Sequence, residues 1–352
     1  MTVRPVPDVH PSRVVLVTGV SRYLGAQVAA RLAADPGIER VIGIDDREPT
    51  GEQATLLADT VEFVHADIKT SASARVIREH RVQTVVHLAI VSAADPTAGG
   101  RAAMKEQNIM GTMQLLAACQ AAPELRKVVF RSSTAAYGVS FRDPAVFTED
   151  TEPRAIPRGG FARDVLDIEG YVRGFCRRRP DVKATVLRFA PFIGVRALTS
   201  LTRYFSRPIV PTVLGRDPRL QFIHVADALE ILHRSVVEDH PGTYNVAGAG
   251  VITLSQAVRR AGRIGVPIPE PALSAMGRGG ANFSLDQLDL FVHGRVVDTT
   301  RLIREYDVEP RPTPVAFDDF LRGIGGVLPR DAIAALEHSI LAGLRSGRAA
   351  LR

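Results

Sequence analysis

Cysteine and tryptophan are nearly absent from this sequence, which has two residues of the first kind and none of the second. Cys119 and Cys176 lie within predicted helices and form no metal or redox spacing, so we predict that both are packing residues in a reducing compartment. No apolar run approaches transmembrane length. These shortages argue against a disulfide-stapled domain, a metal site and a membrane-spanning protein.

Lysine is also scarce, and arginine carries nearly all of the positive charge behind the net charge of +6. The arginines are scattered, and the few aromatic residues are not interleaved with them, so the sequence shows neither a stacking platform nor a basic stripe. We therefore predict no nucleic-acid partner. The lysines are Lys69, Lys105, Lys127 and Lys183.

What the sequence does contain is ordinary globular material, with 45% hydrophobic and 23% charged residues over 352 positions. This length suits one large α/β domain with a smaller appendage. Residues 1–12 are polar and proline-rich, which is typical of a disordered lead rather than a signal peptide, and we predict a cytoplasmic protein.

The most informative stretch is residues 14–32, VVLVTGVSRYLGAQVAARL. It begins with a short apolar run suited to a strand buried on both faces, breaks at Gly19, and continues from Leu24 with apolar positions at helical spacing. A strand, a glycine turn and a helix in this order place backbone N–H groups at a helix N-terminus, where a pyrophosphate binds. The sequence therefore predicts a dinucleotide site here.

The next predicted strand bears on which dinucleotide binds. It ends in Asp45, roughly 20 residues beyond the turn, where a carboxylate takes the ribose hydroxyls of an adenosine. Asp45 also repels the 2′-phosphate of NADP, so the spacing favours NAD. Arg22 stands where a third glycine is usual; its guanidinium either reaches a phosphate, including that of NADP, or points into solvent. NADP therefore stays the alternative.

Strands and helices alternate as far as Phe189, which predicts a Rossmann-type, doubly wound parallel sheet with the carboxyl ends of its strands at one crevice. Beyond it the alternation loosens, which predicts a smaller substrate lobe that includes 226–237 and 243–246. The predicted units are a lead at 1–12, an NAD-binding domain at 13–190 with later strand returns, a lobe mainly at 191–326 and an amphipathic helix at 327–352.

The predicted C-terminal helix places its apolar residues on one face, with two arginines nearby. We favour packing of this face on its own domain or on a second copy in a homodimer, and a membrane-surface helix is the alternative. The apolar residues are Ile333, Leu336, Ile340 and Leu344.

Further motifs follow one another through residues 13–326. They are Thr18-Gly19, Tyr23-Leu24-Gly25, Asp45, Asp67-Ile68, His87-Leu88-Ala89, Asn108 with Gly111-Thr112, Ser132-Ser133 with Tyr137-Gly138, Phe222-Ile223-His224-Val225 with Asp227, and Tyr244-Asn245-Val246. On these motifs the chain resembles the extended short-chain dehydrogenase/reductase family, whose members include UDP-galactose 4-epimerase and nucleotide-sugar dehydratases.

The resemblance implies a bound NAD. Asp45 would hold the adenosine ribose, and Asp67 with Ile68 would flank the adenine. Asn108 would order the strand ends beneath the dinucleotide, and the backbone of Ala190 would touch the nicotinamide. The other residues placed at the cofactor are Gly19, Arg22, Tyr23, Leu24 and Gly25 at the pyrophosphate, and Leu88, Ala89, Ile90 and Ser133 farther along.

Catalysis in this family needs a serine or threonine, a tyrosine and a lysine. Ser133 matches the first. The register of the following helix puts Phe161 at the tyrosine position and Val165 at the lysine position. No lysine occurs at 128–182, so no shift of register restores the motif, and ordinary dehydrogenase or epimerase chemistry is not expected.

Two other groups are candidates for a substitute proton carrier. We predict a structural role for both instead: Asp164 as a solvated acid in the first turn of a helix, favoured by the helix dipole, and His87 as a packed residue at a strand end.

The substrate side also departs from the family. Pro191 replaces a usual asparagine and Leu220 a usual arginine, whereas Arg216 and Arg219 either meet a phosphate of a sugar nucleotide or form a solvated loop pair. Two hypotheses stay open: an enzyme that uses Ser133 with an unconventional proton carrier, and a non-catalytic NAD-binding protein whose bound state partners sense. A scaffold tethered through the C-terminal helix is a third.

Overall fold

The structure is a computed structural model that describes residues 13–155, 157, 160–197, 199–278 and 285–324. The predicted lead at 1–12 and the predicted helix at 327–352 lie outside the described residues. Within the described ranges, no helix is both long and apolar enough to cross a membrane.

Strands supply one large sheet and three small pairs. They are β1 (Val14–Thr18), β2 (Arg40–Asp45), β3 (Glu62–His65), β4 (Thr84–His87), β5 (Lys127–Ser133), β6 (Lys183–Phe189), β7 (Phe192–Ile193), β8 (Ile209–Val213), β9 (Arg219–Leu220), β10 (Ile223–His224), β11 (Gly242–Val246), β12 (Ile252–Thr253) and β13 (Ile264–Ile268).

Helices cover both faces of the large sheet and form most of the smaller lobe. They are α1 (Tyr23–Ala33), α2 (Gly51–Leu57), α3 (Ala72–Glu79), α4 (Gly100–Gln120), α5 (Gly160–Arg178), α6 (Ser200–Phe205), α7 (Val225–Val237), α8 (Leu254–Arg260), α9 (Glu270–Arg278), α10 (Leu285–His293), α11 (Thr300–Tyr306) and α12 (Thr313–Ile324).

The large sheet has seven parallel strands in the order β11-β6-β5-β4-β1-β2-β3. Val17 of β1 pairs with Gly43 of β2 on one side and with Val86 of β4 on the other. The strand order reverses between β1 and β4, and ligands of doubly wound sheets bind outside the strand ends at such a reversal. The predicted fold class is confirmed.

Side chains of β1 alternate between two hydrophobic clusters, because successive residues of a strand point to opposite faces. Val15 and Val17 pack with α1 and α7, whereas Leu16 packs on the opposite face with Leu115 of α4 and Phe175 of α5. All five side chains are fully buried. This burial on both faces explains why β1 is an uninterrupted apolar run.

Residues 225–246 return to the large sheet, as the later strand returns of the predicted NAD-binding domain require, so the assignment of 226–237 and 243–246 to the smaller lobe is wrong. Strand β11 pairs with β6, and helix α7 packs against α1. Ile231 of α7 and Tyr244 of β11 are fully buried in the same cluster as Val15. The apolar face of a strand or helix does not specify which sheet receives it, so only the tertiary packing decides this assignment.

The smaller lobe has an aromatic core of its own. The ring of Phe317 lies 5.0 Å from that of Phe205 and 5.8 Å from that of Phe222, measured between centroids. Around them, β8 pairs with β13, β7 with β10 and β9 with β12. The cluster draws its buried members from Ile193 to Phe320, and the predicted domain boundaries stay predictions.

Residues 220–224 are divided between two strand pairs. Leu220 belongs to β9, which pairs with β12, whereas Ile223 belongs to β10, which pairs with β7. Between them the buried amide of Gln221 donates to the backbone oxygen of Gly248 at 3.0 Å. The strand is interrupted where the pairing partner changes from β12 to β7. At this interruption the Gln221 amide supplies a hydrogen bond to the backbone.

Candidate functional site

The turn between β1 and α1 is built on glycine. Gly19 has a φ of +81°, a left-handed conformation that favours glycine. A Cβ at Gly19 would lie 2.9 Å from Cα of Ala89, and a Cβ at Gly25 would lie 2.1 Å from the backbone oxygen of Gly19. Both glycines are therefore required by the close packing of this turn against the chain after β4 and against α1.

Helix α1 opens directly behind this turn. Its N-cap residue, Arg22, forms no side-chain capping hydrogen bond, and its first turn, which starts at Tyr23 and Leu24, holds no acidic residue. The first N–H groups of a helix lack intrahelical partners, and the helix dipole places about +0.5 charge there. This N-terminus therefore offers backbone donors to an anion.

Asp45 ends β2 beside the turn and is 7% exposed. Its Oδ2 accepts a hydrogen bond from the backbone N–H of Ser21 at 3.0 Å. Burial, followed by a hydrogen bond with Asp46, raises the pKa of the Asp45 carboxyl above its usual value, and the Ser21 N–H and the Arg22 guanidinium partly oppose this rise. The predicted pyrophosphate turn and the predicted ribose acid are thus in direct contact.

Asp67 and Ile68 follow β3 and have different surroundings. Oδ1 of the half-buried Asp67 accepts from the backbone N–H of Lys69 at 2.9 Å. Ile68 is 2% exposed and lies against α4, where a Cβ at Gly111 would come within 2.7 Å of its Cδ1. The Asp67 carboxylate therefore lies nearer the surface, whereas the side chain of Ile68 is a packing group.

The chain after β4 is held against β1 at the reversal of strand order. The backbone N–H groups of Leu88 and Ala89 both donate to Oγ1 of Thr18 at 3.1 Å. Leu88, Ala89 and Ile90 are all at most 5% exposed. These three residues form an ordered wall of the crevice next to Gly19.

His87 is a neutral packing residue, as predicted. Thr112 donates its hydroxyl to the backbone oxygen of Asn108, so it accepts from Nε2 of His87 at 3.0 Å. Nδ1 of His87 then accepts from the Thr18 hydroxyl at 2.8 Å. Burial, and to a lesser degree the Arg131 guanidinium, lowers the pKa of His87 to about 3.

Asn108 links the segment after β4 to helix α5. Its Oδ1 accepts from the backbone N–H of Val91 at 2.8 Å, and its Nδ2 donates to the backbone oxygen of Val91 at 2.9 Å and to Oδ2 of Asp164 at 3.1 Å. Asn108 is fully buried. This amide therefore orders the end of β4 from inside the protein.

The prediction that Asp164 is a solvated acid is wrong. Its side chain is 1% exposed, and Arg101 of α4 binds both carboxylate oxygens, at 2.8 and 2.5 Å. Arg101 also donates to the backbone oxygen of Gly160. A carboxylate removed from water needs such partners, because its desolvation costs on the order of several kcal/mol of free energy. The packing of α4 on α5 supplies them, and the local sequence does not show it.

The predicted catalytic corner combines one hydroxyl with apolar neighbours. Ser133 ends β5, and its Oγ accepts from the backbone N–H of Ala135 at 3.2 Å. Phe161 is 7% exposed and Val165 is 1% exposed, and both belong to the core cluster beneath α5. The positions that the resemblance gives to a tyrosine and a lysine are therefore packed into the protein interior.

The sequence reasoning missed Arg131. It lies two residues before Ser133, and its Nη1 donates to the backbone oxygen of Ile90 at 2.8 Å. Its guanidinium carbon lies 5.3 Å from the ring centroid of Phe192. A signal was present: residues i and i+2 of a strand share a face, so an arginine two places before Ser133 points toward the same crevice.

Two residues near the ends of β5 and β6 are held by other parts of the large sheet. The Tyr137 hydroxyl donates to Oδ1 of Asn245 at 2.7 Å and accepts from Nη1 of Arg188 at 2.9 Å, and burial raises its pKa. Ala190 is 3% exposed, and its N–H donates to the backbone oxygen of Val246 at 2.9 Å. Both are therefore held in place by β11.

Arg216 and Arg219 line a cavity of about 250 Å³ in the smaller lobe. The guanidinium of Arg216 lies 5.0 Å from the ring centroid of Phe141, and Arg219 donates to the backbone oxygen of Ala145 at 3.0 Å. His293 also lines this cavity, and burial lowers its pKa. The structure thus brings the two predicted substrate arginines together in one basic cavity.

A larger cavity, of about 1030 Å³, lies beside α5 and contains none of the residues predicted to bind cofactor or substrate. Its walls carry charges of both signs, among them Glu149, Asp167, Arg173 and Arg188. The residues predicted to bind the cofactor and the substrate therefore lie outside this larger cavity.

These features define a class of protein: a Rossmann-type α/β protein with a glycine turn at the reversal of strand order and an acid at the end of β2. The sequence model of the NAD dependent epimerase/dehydratase family matches residues 15–247. Because this match spans more than half of the chain, the protein belongs to that family.

Similar proteins agree with this assignment. An uncharacterized protein of Mycobacterium tuberculosis is 48% identical over 324 residues, which is 90% of this chain and 86% of that protein. The UDP-glucose 4-epimerase of Thermotoga maritima, solved with UDP-glucose, has a TM-score of 0.70 and 19% identity over 88% of this chain and 98% of that one.

The UDP-glucose 4-epimerase of Thermus thermophilus, solved with NAD, has a TM-score of 0.67 and 21% identity over 90% of this chain and all of that one. At these identities the two solved structures show a shared fold.

Proposed function

We propose that this protein binds NAD in the crevice at the carboxyl ends of β1, β2 and β4 and does not transfer protons by the tyrosine and lysine route of the family it resembles. Family membership and the NAD in the Thermus thermophilus epimerase support the cofactor. One observation carries the second half of the proposal, namely the burial of Phe161 and Val165 at the two positions concerned.

The residues of the crevice fit a dinucleotide. The turn has no room for a Cβ at Gly19, α1 begins without a side-chain cap, and Asp45 lies one hydrogen bond from the turn. We assign the pyrophosphate to Gly19, Arg22, Tyr23, Leu24 and Gly25, the adenosine to Asp45, Asp67 and Ile68, and the remainder to Leu88, Ala89, Ile90, Asn108, Ser133 and Ala190.

NAD is favoured over NADP because the Asp45 carboxylate would repel a 2′-phosphate on the ribose that it holds. When bound, NAD supplies a hydride acceptor. The contribution of this chain is to hold and orient that cofactor and to exclude water with the wall formed by Leu88, Ala89 and Ile90.

The two candidate proton carriers, Asp164 and His87, are engaged with other protein groups, and so is the Tyr137 hydroxyl. Asp164 is paired with Arg101, His87 is neutral with a pKa of about 3, and the Tyr137 hydroxyl is bonded on both sides. A positioned acid or base contributes about 10²–10⁴-fold to a rate. Without one, cofactor binding is the activity that this geometry supports best.

Catalysis through Ser133 is the second candidate. Its hydroxyl accepts one backbone hydrogen bond and is only partly buried, so it can still donate to a substrate oxygen. An enzyme of this kind would need the substrate or a water to move the proton. Turnover measurements separate it from the non-catalytic proposal.

For a second ligand we propose a sugar nucleotide, held at the cavity of Arg216 and Arg219. The UDP-glucose in the Thermotoga maritima epimerase supports this class of ligand, and two guanidinium groups at one cavity suit its phosphates. A homodimer in the cytoplasm stays a prediction, which the mass of the native particle and its location in the cell would check.

The test begins with purified protein freed of carried-over cofactor. NAD and NADH are titrated by calorimetry, and nicotinamide absorbance is then followed with UDP-glucose, UDP-galactose and dTDP-glucose. We expect binding of NAD without reduction, and unchanged sugar nucleotides on chromatography. Formation of NADH or of a new sugar nucleotide would overturn the non-catalytic half, and failure to bind either cofactor would overturn the whole proposal.

A further inference from the structure

The Arg131 guanidinium lies in the crevice, and it donates a hydrogen bond to a backbone oxygen. Its side chain is partly buried between the oxygen of Ile90 and the ring of Phe192. Among the described residues no carboxylate forms an ion pair with it. A guanidinium withdrawn from water without an acid is costly, so this position needs a separate explanation.

Arg22 supplies a second positive charge that acts on Arg131. It is exposed at the N-cap of α1, it too has no ion pair within the described part of the chain, and its charge acts both on Asp45 and on Arg131. Burial, together with repulsion from Arg22, lowers the pKa of Arg131 to about 10. The crevice therefore holds two cations that disfavour each other.

The crevice itself adds more positive potential. The N-terminus of α1 contributes about +0.5 charge next to Gly19, and Ile90 lies one residue beyond Ala89, whose Cα limits the space at Gly19. The guanidinium groups of Arg22 and Arg131 thus act on the mouth of the glycine turn rather than on a remote surface. An anion placed there would relieve their mutual repulsion.

We propose that Arg131 and Arg22 together bind the diphosphate of a dinucleotide at the glycine turn. This inference rests on the proposed function, and it adds Arg131, which the family resemblance does not assign. Guanidinium groups offer paired N–H donors that match phosphate oxygens, whereas a glycine turn alone offers backbone donors. Binding in this crevice then depends on charge as well as on the adenosine contacts of Asp45.

The experiment compares ligands that differ in the diphosphate. NAD, ADP and adenosine are titrated by calorimetry into the full-length protein and into the variants Arg131→Met and Arg22→Gly at two salt concentrations. Arg203→Gln, an exposed arginine of α6, is the matched control. Methionine keeps an apolar stem against Phe192, and far-ultraviolet circular dichroism checks that each variant is folded.

We expect each variant to lose about tenfold or more in affinity for NAD and ADP, while adenosine binds as it does to the parent. The salt dependence of ADP binding should become shallower in both variants but not in the control. ADP and NAD binding that is unchanged in Arg131→Met and Arg22→Gly would overturn the inference.

The ligand set also separates the two proposals. If the parent binds ADP in an arginine-dependent manner but not NAD, the guanidinium pair is supported and the proposed cofactor is wrong. If the parent binds NAD and the variants bind it equally well, the cofactor stands and the pair is wrong. If the parent binds none of the three, the arginines close the turn and both proposals are wrong.

Discussion

The glycine turn and the predicted catalytic corner, the two halves of the crevice, differ in how their polar groups are paired. At the glycine turn, backbone donors, Asp45 and two guanidinium groups surround a space in which few of them neutralise one another. At the catalytic corner, Phe161 and Val165 are packed in the core and Asp164 is paired with Arg101. The comparison shows that the residues predicted to bind the cofactor and the positions predicted for proton transfer have different surroundings on one fold.

The largest expected effect comes from returning a lysine to the catalytic corner. Val165→Lys places an ammonium at a 1% exposed position inside an apolar cluster, which should lower the free energy of unfolding by about 4 kcal/mol. Urea denaturation measures this change. Tyr171→Lys, at a 37% exposed position of the same helix, is the control and should change stability little.

If Val165→Lys is as stable as the parent, the corner has kept space and partners for the ammonium. Adding Phe161→Tyr to that variant would then be the way to restore turnover, and the contrast between the two halves of the crevice would disappear.

A side chain added in the glycine turn should also destabilise the protein. In Gly25→Ala the new Cβ would meet the backbone oxygen of Gly19 at 2.1 Å, so the turn must shift, and we expect a loss of about 3 kcal/mol in unfolding free energy together with weaker NAD binding. Gly170→Ala is the matched control, because its nearest neighbour is a flexible arginine end at 3.8 Å. Alanine favours helix, so the control should be neutral or slightly stabilised.

His87 joins the two halves through its threonine partners, and its burial predicts a pH dependence. The unfolded chain takes up a proton near pH 6.5 and the folded chain only near pH 3, so the unfolded state binds more protons in that window and stability falls as the pH falls through it. Between pH 8 and pH 5.5 we expect His87 to account for a loss of about 1.4 kcal/mol.

The measurement is urea denaturation of the parent and of His87→Gln at both pH values. The parent should lose more stability than the variant over this range. Equal losses would mean that His87 is protonated in the folded protein, and it would then return as a candidate proton carrier.

The last expected effect, equal in size to that of His87, concerns the choice of cofactor. Asp45→Ala removes the acid that we assign to the adenosine ribose, and NAD affinity should fall about tenfold relative to NADP affinity. Glu48→Ala, an exposed acid three residues further on, should leave the ratio unchanged. Equal NAD affinity in Asp45→Ala and the parent would remove Asp45 from the site.

Features that depend on local periodicity or on a fixed spacing could be predicted from the sequence. The apolar run of β1, the break at Gly19 and the acid at the end of β2 all follow from patterns within about 30 residues, which is the span of one βαβ unit. The predicted replacement of the family's tyrosine and lysine by Phe161 and Val165 came from the same kind of reasoning, because the motif has a fixed spacing, and it stays a prediction. The family assignment depended on these features, and it is confirmed.

Features created by contacts between distant segments could not be predicted from the sequence. Asp164 was predicted to stand in the first turn of a helix, but α5 begins earlier, at Gly160, and Asp164 is paired with Arg101 from another helix 63 positions away. Arg131 reaches Ile90 across 41 positions. The sequence pattern of either segment alone does not predict these partners.

By itself, the sequence determined the alternation of strands and helices and the glycine turn with its acid, because each depends on neighbouring residues or on a fixed spacing; the replacement of the tyrosine and lysine stays a prediction. Only the tertiary structure decided that residues 225–246 join the large sheet, that Asp164 is buried, and that Arg131 lies near the turn. These outcomes depend on which surfaces meet when the chain packs, and the free energy of that packing belongs to pairs of segments rather than to either segment alone.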